Sequence, residues 1–264
     1  MSIFPNPCAS EIRIAGGDTA TPLNLLKRVA LLETAVGLKG RRVLDAGCGA
    51  GEYVEAFATK GAFAEGVEFC ADKVAQYQRR HPGSKRISQG NLEAVAFPDD
   101  SFDLIVLNEV LEHTPDEGRV LAEMRRVLRP DGWLAVFCPN RLYPFETHGV
   151  SWRKTGRALS PWLFGVPYLP LAIGRRWLVY PARNYWPGEL ARLVTAADFH
   201  LVKRHWLWQT FENISHHQPR WLALVRPQLR RIANRCEQIP IVCRLGVSQV
   251  IFAQKNPAPN VPGQ

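Results

Sequence analysis

From residue 21 to residue 140 the apolar positions alternate between two periods. Leu25, Leu26, Val29, Leu32 and Val36 recur at three- and four-residue spacing, which predicts a helix opened by Thr21-Pro22 and closed at Gly37. Val43-Leu44 reads as the end of a buried strand, followed by a helix over Glu52 to Lys60. The pattern then predicts strands over Phe63 to Val67, ending in Glu68, over Lys85 to Gln89, over Phe102 to Leu107 and over Trp133 to Cys138. Helices are predicted between them, over Ala71 to Arg80 and Pro115 to Leu128, the latter stopped by the turn Arg129-Pro130-Asp131-Gly132. Further on, a helix starts at Trp186-Pro187-Gly188-Glu189 and runs through Leu190, Leu193 and Val194; a sixth strand covers Leu201 to Gln209 and a last one Ser248 to Gln254. Residues 1 to 20 lack periodicity and read as a loose arm, and Asn256 onward reads as a Pro-rich tail that need not be ordered. Alternating strands and helices over 264 residues indicate one α/β domain with an elaboration.

Within this pattern the segment RRVLDAGCGAGE, Arg41 to Glu52, carries the first chemistry. Gly47, Gly49 and Gly51 let backbone approach a ligand without Cβ interference, between a strand and a helix N-terminus, where adenosine-containing cofactors are held in parallel α/β sheets. A dinucleotide fingerprint needs G-x-G-x-x-G, but here Glu52 takes the third glycine's place, and a glutamate beside a pyrophosphate would be repelled. That spacing argues against a nicotinamide oxidoreductase. Asp45-x-Gly47-x-Gly49-x-Gly51 resembles instead the first motif of class I S-adenosylmethionine (SAM) methyltransferases, whose cofactor carries a sulfonium and an amino group and no phosphate.

The stretch FPDDSFDLIVLNEVLEHTPDEGRVLAEMRRVLRPDGWLAVFCPN is similar to the central block of the same superfamily, and with the glycine motif the resemblance covers roughly residues 40 to 140. It implies a doubly wound α/β fold with a mostly parallel seven-stranded sheet, a SAM-binding core over 21–140, an acceptor-facing region over 141–247 returning to the sheet, and a last strand over 248–255. It also implies cofactor contacts from Asp45, Gly47, Gly49, Gly51, Glu68, Asn91 and Asn108. Glu68 is suited to both ribose hydroxyls. Asn91 stands where the pattern usually has aspartate, and its amide oxygen can still accept from an adenine amino group. Asp198 likewise stands where glycine is more usual.

Charge separates the two parts of the chain. Residues 1–150 hold 17 Lys and Arg against 20 Asp and Glu, whereas residues 151–250 hold 15 against 4 together with seven of the eight tryptophans. The apolar segment from Trp162 to Ile173 is too short and too rich in Pro and Gly to span a bilayer, and reads as a lid, a pocket wall or an interfacial segment. Trp221 to Arg235 reads as a basic amphipathic insertion before the last strand. A basic, Trp-rich region suggests an anionic, partly apolar partner: a hydrophobic or lipid-linked acceptor met at a negatively charged membrane surface, with Arg226, Arg230 and Arg231 facing the head groups. Solvated arginines around a small aromatic core are the competing reading. The prolines and tryptophans among the arginines fit an interface better than a nucleic-acid phosphate groove, leaving a small natural product or RNA as alternative acceptors. The six cysteines form no C-x-x-C pair and no signal peptide precedes them, which predicts a reducing cytoplasm, with peripheral membrane contact.

Methyl transfer from a sulfonium is an in-line displacement, so the protein chiefly orients donor and acceptor and, for a hydroxyl acceptor, removes its proton. His113, after the fourth strand, is the candidate base. Glu109, Glu112 and His113 form an E-x-x-E-H arrangement similar to the metal cluster of ubiquinone-pathway O-methyltransferases and small-RNA 2′-O-methyltransferases. In a helical turn these spacings put three side chains on one face, where with His148 they could hold a Mg²⁺-like ion. A non-catalytic binding protein on the same fold would have no need of the intact glycine motif and Glu68.

Overall fold

The computed structural model describes residues 22–160, 163–211 and 221–256, with side chains from 225 onward in the last of these. The predicted arm, Thr21, Pro161, Trp162 and the tail beyond Asn256 lie outside the described residues. Helix α1 spans Leu23–Ala35, and its Leu25, Val29 and Leu32 are buried as the spacing requires. Gly37, at φ +77°, ends it with its N–H donating to Glu33 O. The chain continues through β1 (Arg42–Ala46), α2 (Glu52–Thr59), β2 (Phe63–Glu68), α3 (Ala71–Arg80), β3 (Ile87–Gln89) and β4 (Phe102–Asn108). After α4 (Glu117–Val127) comes β5 (Leu128–Pro139). Val43 and Leu44 lie inside β1, not at its end, because Asp45 and Ala46 continue the pairing with β2 and β4.

The Arg129–Gly132 turn is contained within β5 as an irregularity. Phe102 pairs with Leu128 and Leu104 with Trp133, and Asp131 takes φ +59° to absorb the extra residues. A small unit follows, with β6 (Ser151–Trp152), α5 (Leu171–Gly174) and β7 (Leu178–Val179), where β6 and β7 pair antiparallel. Then come α6 (Pro187–Ala196), β8 (Phe199–Leu207), α7 (Trp221–Cys236) and β9 (Ser248–Lys255). The turn into β8 passes through Asp198 at φ +62°, the left-handed conformation that explains why glycine suits this position.

The seven-stranded sheet has the order β3-β2-β1-β4-β5-β9-β8, parallel except for β9, which runs antiparallel to both neighbours. β4 and the second half of β5 are buried on both faces, which is why they read as continuous apolar runs and not as alternation. One face packs Val120, Leu121 and Met124 of α4 and Leu190 and Val194 of α6. The other packs Val29 and Leu32 of α1, Val54 and Phe57 of α2 and Tyr77 of α3. The loops that follow β1, β2, β3, β4 and β5 therefore emerge along one edge of the sheet, at the strands' carboxyl ends.

One buried contact ties three of these elements at that edge. The Arg28 side chain of α1 is 6% exposed; its guanidinium donates to Glu109 Oε1 at 2.7 Å, to Ser248 Oγ at 3.0 Å and to Asn108 Oδ1, and lies over the Phe137 ring. Ser248 Oγ in turn donates to Glu109 Oε1 at 2.6 Å. Removing one partner of such a pair strands a charge in a desolvated place. Arg28→Met is expected to cost about 3 kcal/mol of stability, and adding Glu109→Gln to recover at least about 1 kcal/mol of it. Denaturant unfolding of the four-member cycle measures this, and strictly additive losses would show that the pair is not the clamp described.

Candidate functional site

The glycine turn is anchored before it offers anything to a ligand. The N–H groups of Gly47 and Cys48 both donate to Val67 O, at 2.8 and 3.0 Å, which ties the turn to the end of β2. Gly47, Gly49 and Gly51 all have positive φ, at +84°, +57° and +87°, but their surroundings differ. A Cβ on Gly47 would lie 2.5 Å from a Val110 methyl, and one on Gly51 would lie 2.5 Å from Ile87 Cδ1 and 2.6 Å from the Tyr77 ring. At Gly49 nothing lies within 4 Å. Two glycines thus serve close packing, and the third faces open space.

Around that opening stand two carboxylates. Glu68, buried at the end of β2, accepts from the N–H of Gly49 at 2.9 Å and of Cys70 at 2.8 Å. Asp45, 2% exposed, has Oδ2 buried with no hydrogen-bond partner. Burial, then the neighbouring Glu52 and Glu68, push its pKa up to about 8. An orphaned carboxylate beside a Cβ-free opening fits a ligand that brings a cationic amino group, as the implied cofactor does.

The other cofactor candidates are placed less simply. Asn91 is exposed after β3, and its Oδ1 accepts from the Glu93 N–H at 3.0 Å. Asn108 ends β4 with its side-chain oxygen engaged by Arg28 and its side chain also hydrogen-bonded to Tyr53, so the protein itself already holds this predicted cofactor contact.

The E-x-x-E-H stretch departs from the expected single helical face. Glu109 has φ +56° and precedes a short 3-10 turn, Leu111–His113, so it is not part of the same helical turn as Glu112 and His113. The buried Arg28 cation captures it. Despite burial, the Arg28 charge, with His148 and the Ser248 hydroxyl, holds the Glu109 pKa down at about 2. Glu112, 1% exposed, meets the opposite situation: burial and the adjacent Glu109 charge raise its pKa well above the usual carboxylate range.

The groups that do converge are Glu112, His113 and His148, whose ligand atoms lie within 4.8 Å of one another. His148 comes from the loop after β5, its Nε2 3.7 Å from Glu112 Oε1 and its ring centroid 5.6 Å from that of His113. One His113 ring nitrogen bonds the Pro181 carbonyl, while Nε2 is buried without a partner. Burial and the nearby His148 lower the His113 pKa to about 4, against the opposing effects of Pro181 and Glu109. The turn carrying His113 begins at Val110, the residue packed against Gly47, so the imidazole cluster and the glycine opening share a wall.

Several contributors escape motif reading. Arg28 occupies an inward position among Leu25, Val29 and Leu32, and a basic residue on the apolar face of a helix was the available signal. Glu146 is buried, accepts from the N–H groups of Thr147 and His148 and from Asn184, and so fixes the loop that carries His148. The Arg183 N–H donates to Glu112 O, joining the later segment to the turn after β4. Neither of these contacts has a sequence signature.

Comparison with known proteins agrees with this architecture. A family profile described as a methyltransferase domain matches residues 44–136. A probable S-adenosylmethionine-dependent methyltransferase of Mycobacterium tuberculosis is 37% identical over 192 residues, 61% of this chain and 70% of that protein. A ubiquinone biosynthesis O-methyltransferase of Paracidovorax citrulli is 34% identical over 119 residues, 43% of this chain, and the match spans about half (50%) of that relative's length. Among solved structures, an S-adenosylmethionine-dependent methyltransferase from Mesorhizobium loti superposes with a TM-score of 0.56 at 17% identity, covering 86% of this chain and 96% of its own, which speaks for the fold. With its glycine turn, its acidic pair and its seven-stranded sheet, this chain belongs to the S-adenosylmethionine-dependent methyltransferases.

Proposed function

We propose that the chain methylates an oxygen of a hydrophobic, lipid-linked or glycan-type acceptor, with His113 as the base. The observation that carries this reading is the His113 ring: one nitrogen is committed to the Pro181 carbonyl and Nε2 is buried with no partner beside the glycine opening. The committed nitrogen sets the tautomer, leaving a lone pair at Nε2 to receive a proton from an acceptor hydroxyl. Its low pKa keeps the ring neutral near pH 7, available although weakly basic. SAM supplies a methyl group already activated on a sulfonium, so the residues need to orient and desolvate more than to activate. Asp45 takes the cofactor's amino group, Glu68 its ribose hydroxyls and Asn91 its adenine edge, while Gly49 keeps the cleft open.

A hydrophobic acceptor is supported by the walls of the neighbouring region. Phe145, Phe164, Tyr168 and Trp186 form a chain of ring contacts with centroids 6.0 to 6.4 Å apart, beginning three residues before His148. The metal reading narrows to three side chains, Glu112, His113 and His148, since Glu109 is neutralised by Arg28. Two imidazoles and one carboxylate suit a borderline transition ion better than Mg²⁺, which prefers oxygen donors. Such an ion would act as a Lewis acid toward the acceptor oxygen.

Titration calorimetry with S-adenosylhomocysteine tests the cofactor reading. Gly49→Val is expected to abolish binding, and undiminished affinity would refute the assignment. In the wild type, ionisation of Asp45 on meeting an ammonium group should release close to one proton near pH 7, and affinity should rise as pH rises toward about 8. Repeating the titration in buffers of different ionisation enthalpy reads that proton, which Asp45→Asn should eliminate.

For the acceptor, labelled SAM with lipid, aqueous and RNA fractions of a cell extract is expected to mark the lipid fraction. With the acceptor in hand, His113→Gln should lower kcat by about 10²- to 10⁴-fold with cofactor affinity unchanged. Activity after EDTA, and after restoring Mg²⁺, Mn²⁺ or Zn²⁺ separately, decides the metal: full activity in the chelated enzyme would leave His113 as a metal-free base.

A further inference from the structure

The unit between β5 and α6 has an apolar core of its own, but a small one, formed by Val150, Val166, Leu178 and Tyr180. Leu159 and Leu171 pack against this core, but several large apolar groups point outward, with Trp152 and Leu163 each 49% exposed, Ile173 48%, Trp177 53% and Phe164 70%. A surface cluster of this size is costly in water unless something covers it. Charge says what kind of cover it is. From Thr147 to Gly188 the sequence contains six Lys and Arg and no Asp or Glu, and Arg153, Lys154, Arg157 and Arg176 are exposed.

The fold brings these two sets together. The Arg153 N–H donates to Trp177 O at 2.7 Å and its Nε to Arg175 O at 3.0 Å, while the Trp152 N–H donates to Arg157 O at 2.9 Å. The hairpin tip at 152–157 therefore lies against the 175–177 turn, aromatic and basic side chains side by side. Trp152, Arg157 and Leu163 also line one cleft of about 540 Å³ together with the hydroxyl-bearing Thr155 and Ser160.

We infer that this unit is a docking surface for an anionic lipid bilayer, with Trp152, Phe164 and Trp177 entering the interface and the exposed basic residues meeting phosphate head groups. Aromatic rings sit at the head-group level, and Lys and Arg keep their charges in water while their stems lie along apolar surface. A soluble protein partner would have to supply both apolar area and unopposed negative charge, which an anionic membrane supplies everywhere on its surface. Helix α7 is the poorer candidate: of Arg226, Arg230 and Arg231 only Arg231 is exposed, and Arg230 Nε donates to Thr210 O. No described helix is long and apolar enough to cross a membrane, so contact would be at the surface. The loop leading into the unit carries His148, and Pro181 just beyond it contacts His113, so a docked unit would hold the imidazole cluster close to the bilayer. The inference goes beyond the methyl-transfer reading and is tested apart from it.

The test is co-sedimentation of the full chain with phosphatidylcholine vesicles, with and without phosphatidylglycerol. Binding is expected to the anionic vesicles only and to weaken with added salt. Arg153→Glu/Lys154→Glu/Arg157→Glu should lower the partition coefficient by at least about 100-fold, at about tenfold or less per basic residue. Phe164→Ala/Trp177→Ala should lower it about tenfold or more, and Arg231→Glu by less than about tenfold. All substituted side chains are exposed; circular dichroism checks the fold, and S-adenosylhomocysteine affinity, expected unchanged, separates loss of docking from loss of the cofactor site. Equal partitioning onto neutral vesicles, none onto either, binding of the Arg153→Glu/Lys154→Glu/Arg157→Glu and Phe164→Ala/Trp177→Ala variants like the wild type, or retention on an RNA oligonucleotide in place of vesicles would each overturn the inference. Should the charge-reversed variant misfold, the Phe164→Ala/Trp177→Ala variant decides alone.

Discussion

A desolvated guanidinium obliges its surroundings to supply negative charge, and Arg28 makes that demand where α1, β4 and β9 meet. Glu109 answers it from a left-handed backbone conformation, φ +56°, that places it before the following turn and not within it. The adjacent Glu112, buried against an ionised neighbour, is pushed toward its neutral form. Two glutamates three positions apart thereby take opposite charge states, Glu109 through the Arg28 cation and Glu112 through burial beside an ionised Glu109. The neutral one is left beside the two imidazoles, and the ionised one becomes part of the frame.

The glycine turn divides its labour in a similar way. Gly47 and Gly51 lack Cβ atoms because Val110, Ile87 and Tyr77 already occupy the space, so their role is to let β1, β3, α3 and the turn after β4 close together. Gly49 has no such neighbour, so the turn keeps room beside it while the other two are tightly packed. The orphaned Asp45 oxygen behind this opening is a polar group that the protein alone does not satisfy. Packing and unsatisfied polarity therefore point to the same few cubic ångströms.

The core of the fold was legible because its signals are local. Periods of 3.6 and of continuous apolar burial placed every helix and strand of the central domain within a few residues, and Asp198 was identifiable as a glycine-like position. What could not be read were contacts made across the sheet edge. The spacing of Glu109, Glu112 and His113 suggests one helical face, but the electrostatic claim of Arg28, 81 positions away from Glu109, overrides helical spacing. The Arg129–Gly132 turn reads as a loop, yet the neighbouring strand keeps its residues within β5 as a bulge. Around residues 141–186 short elements are held by backbone bonds such as Arg153 to Trp177 and Arg183 to Glu112, which leave no periodic trace.

The placement of β9 has a kinetic consequence. It runs between β5 and β8, with Gln249 bonded to Pro139 110 positions earlier, and Ser248 at its start completes the ring of partners around Arg28. Until those residues are available, β5 presents an open edge with a row of unpaired backbone groups, and the Arg28 cluster lacks its hydroxyl. Closure must await a contact of long sequence separation, so the slow, aggregation-sensitive step of folding falls on the strand that joins β5 to β8. In a crowded cell the order in which this chain emerges would matter as much as the stability it finally reaches.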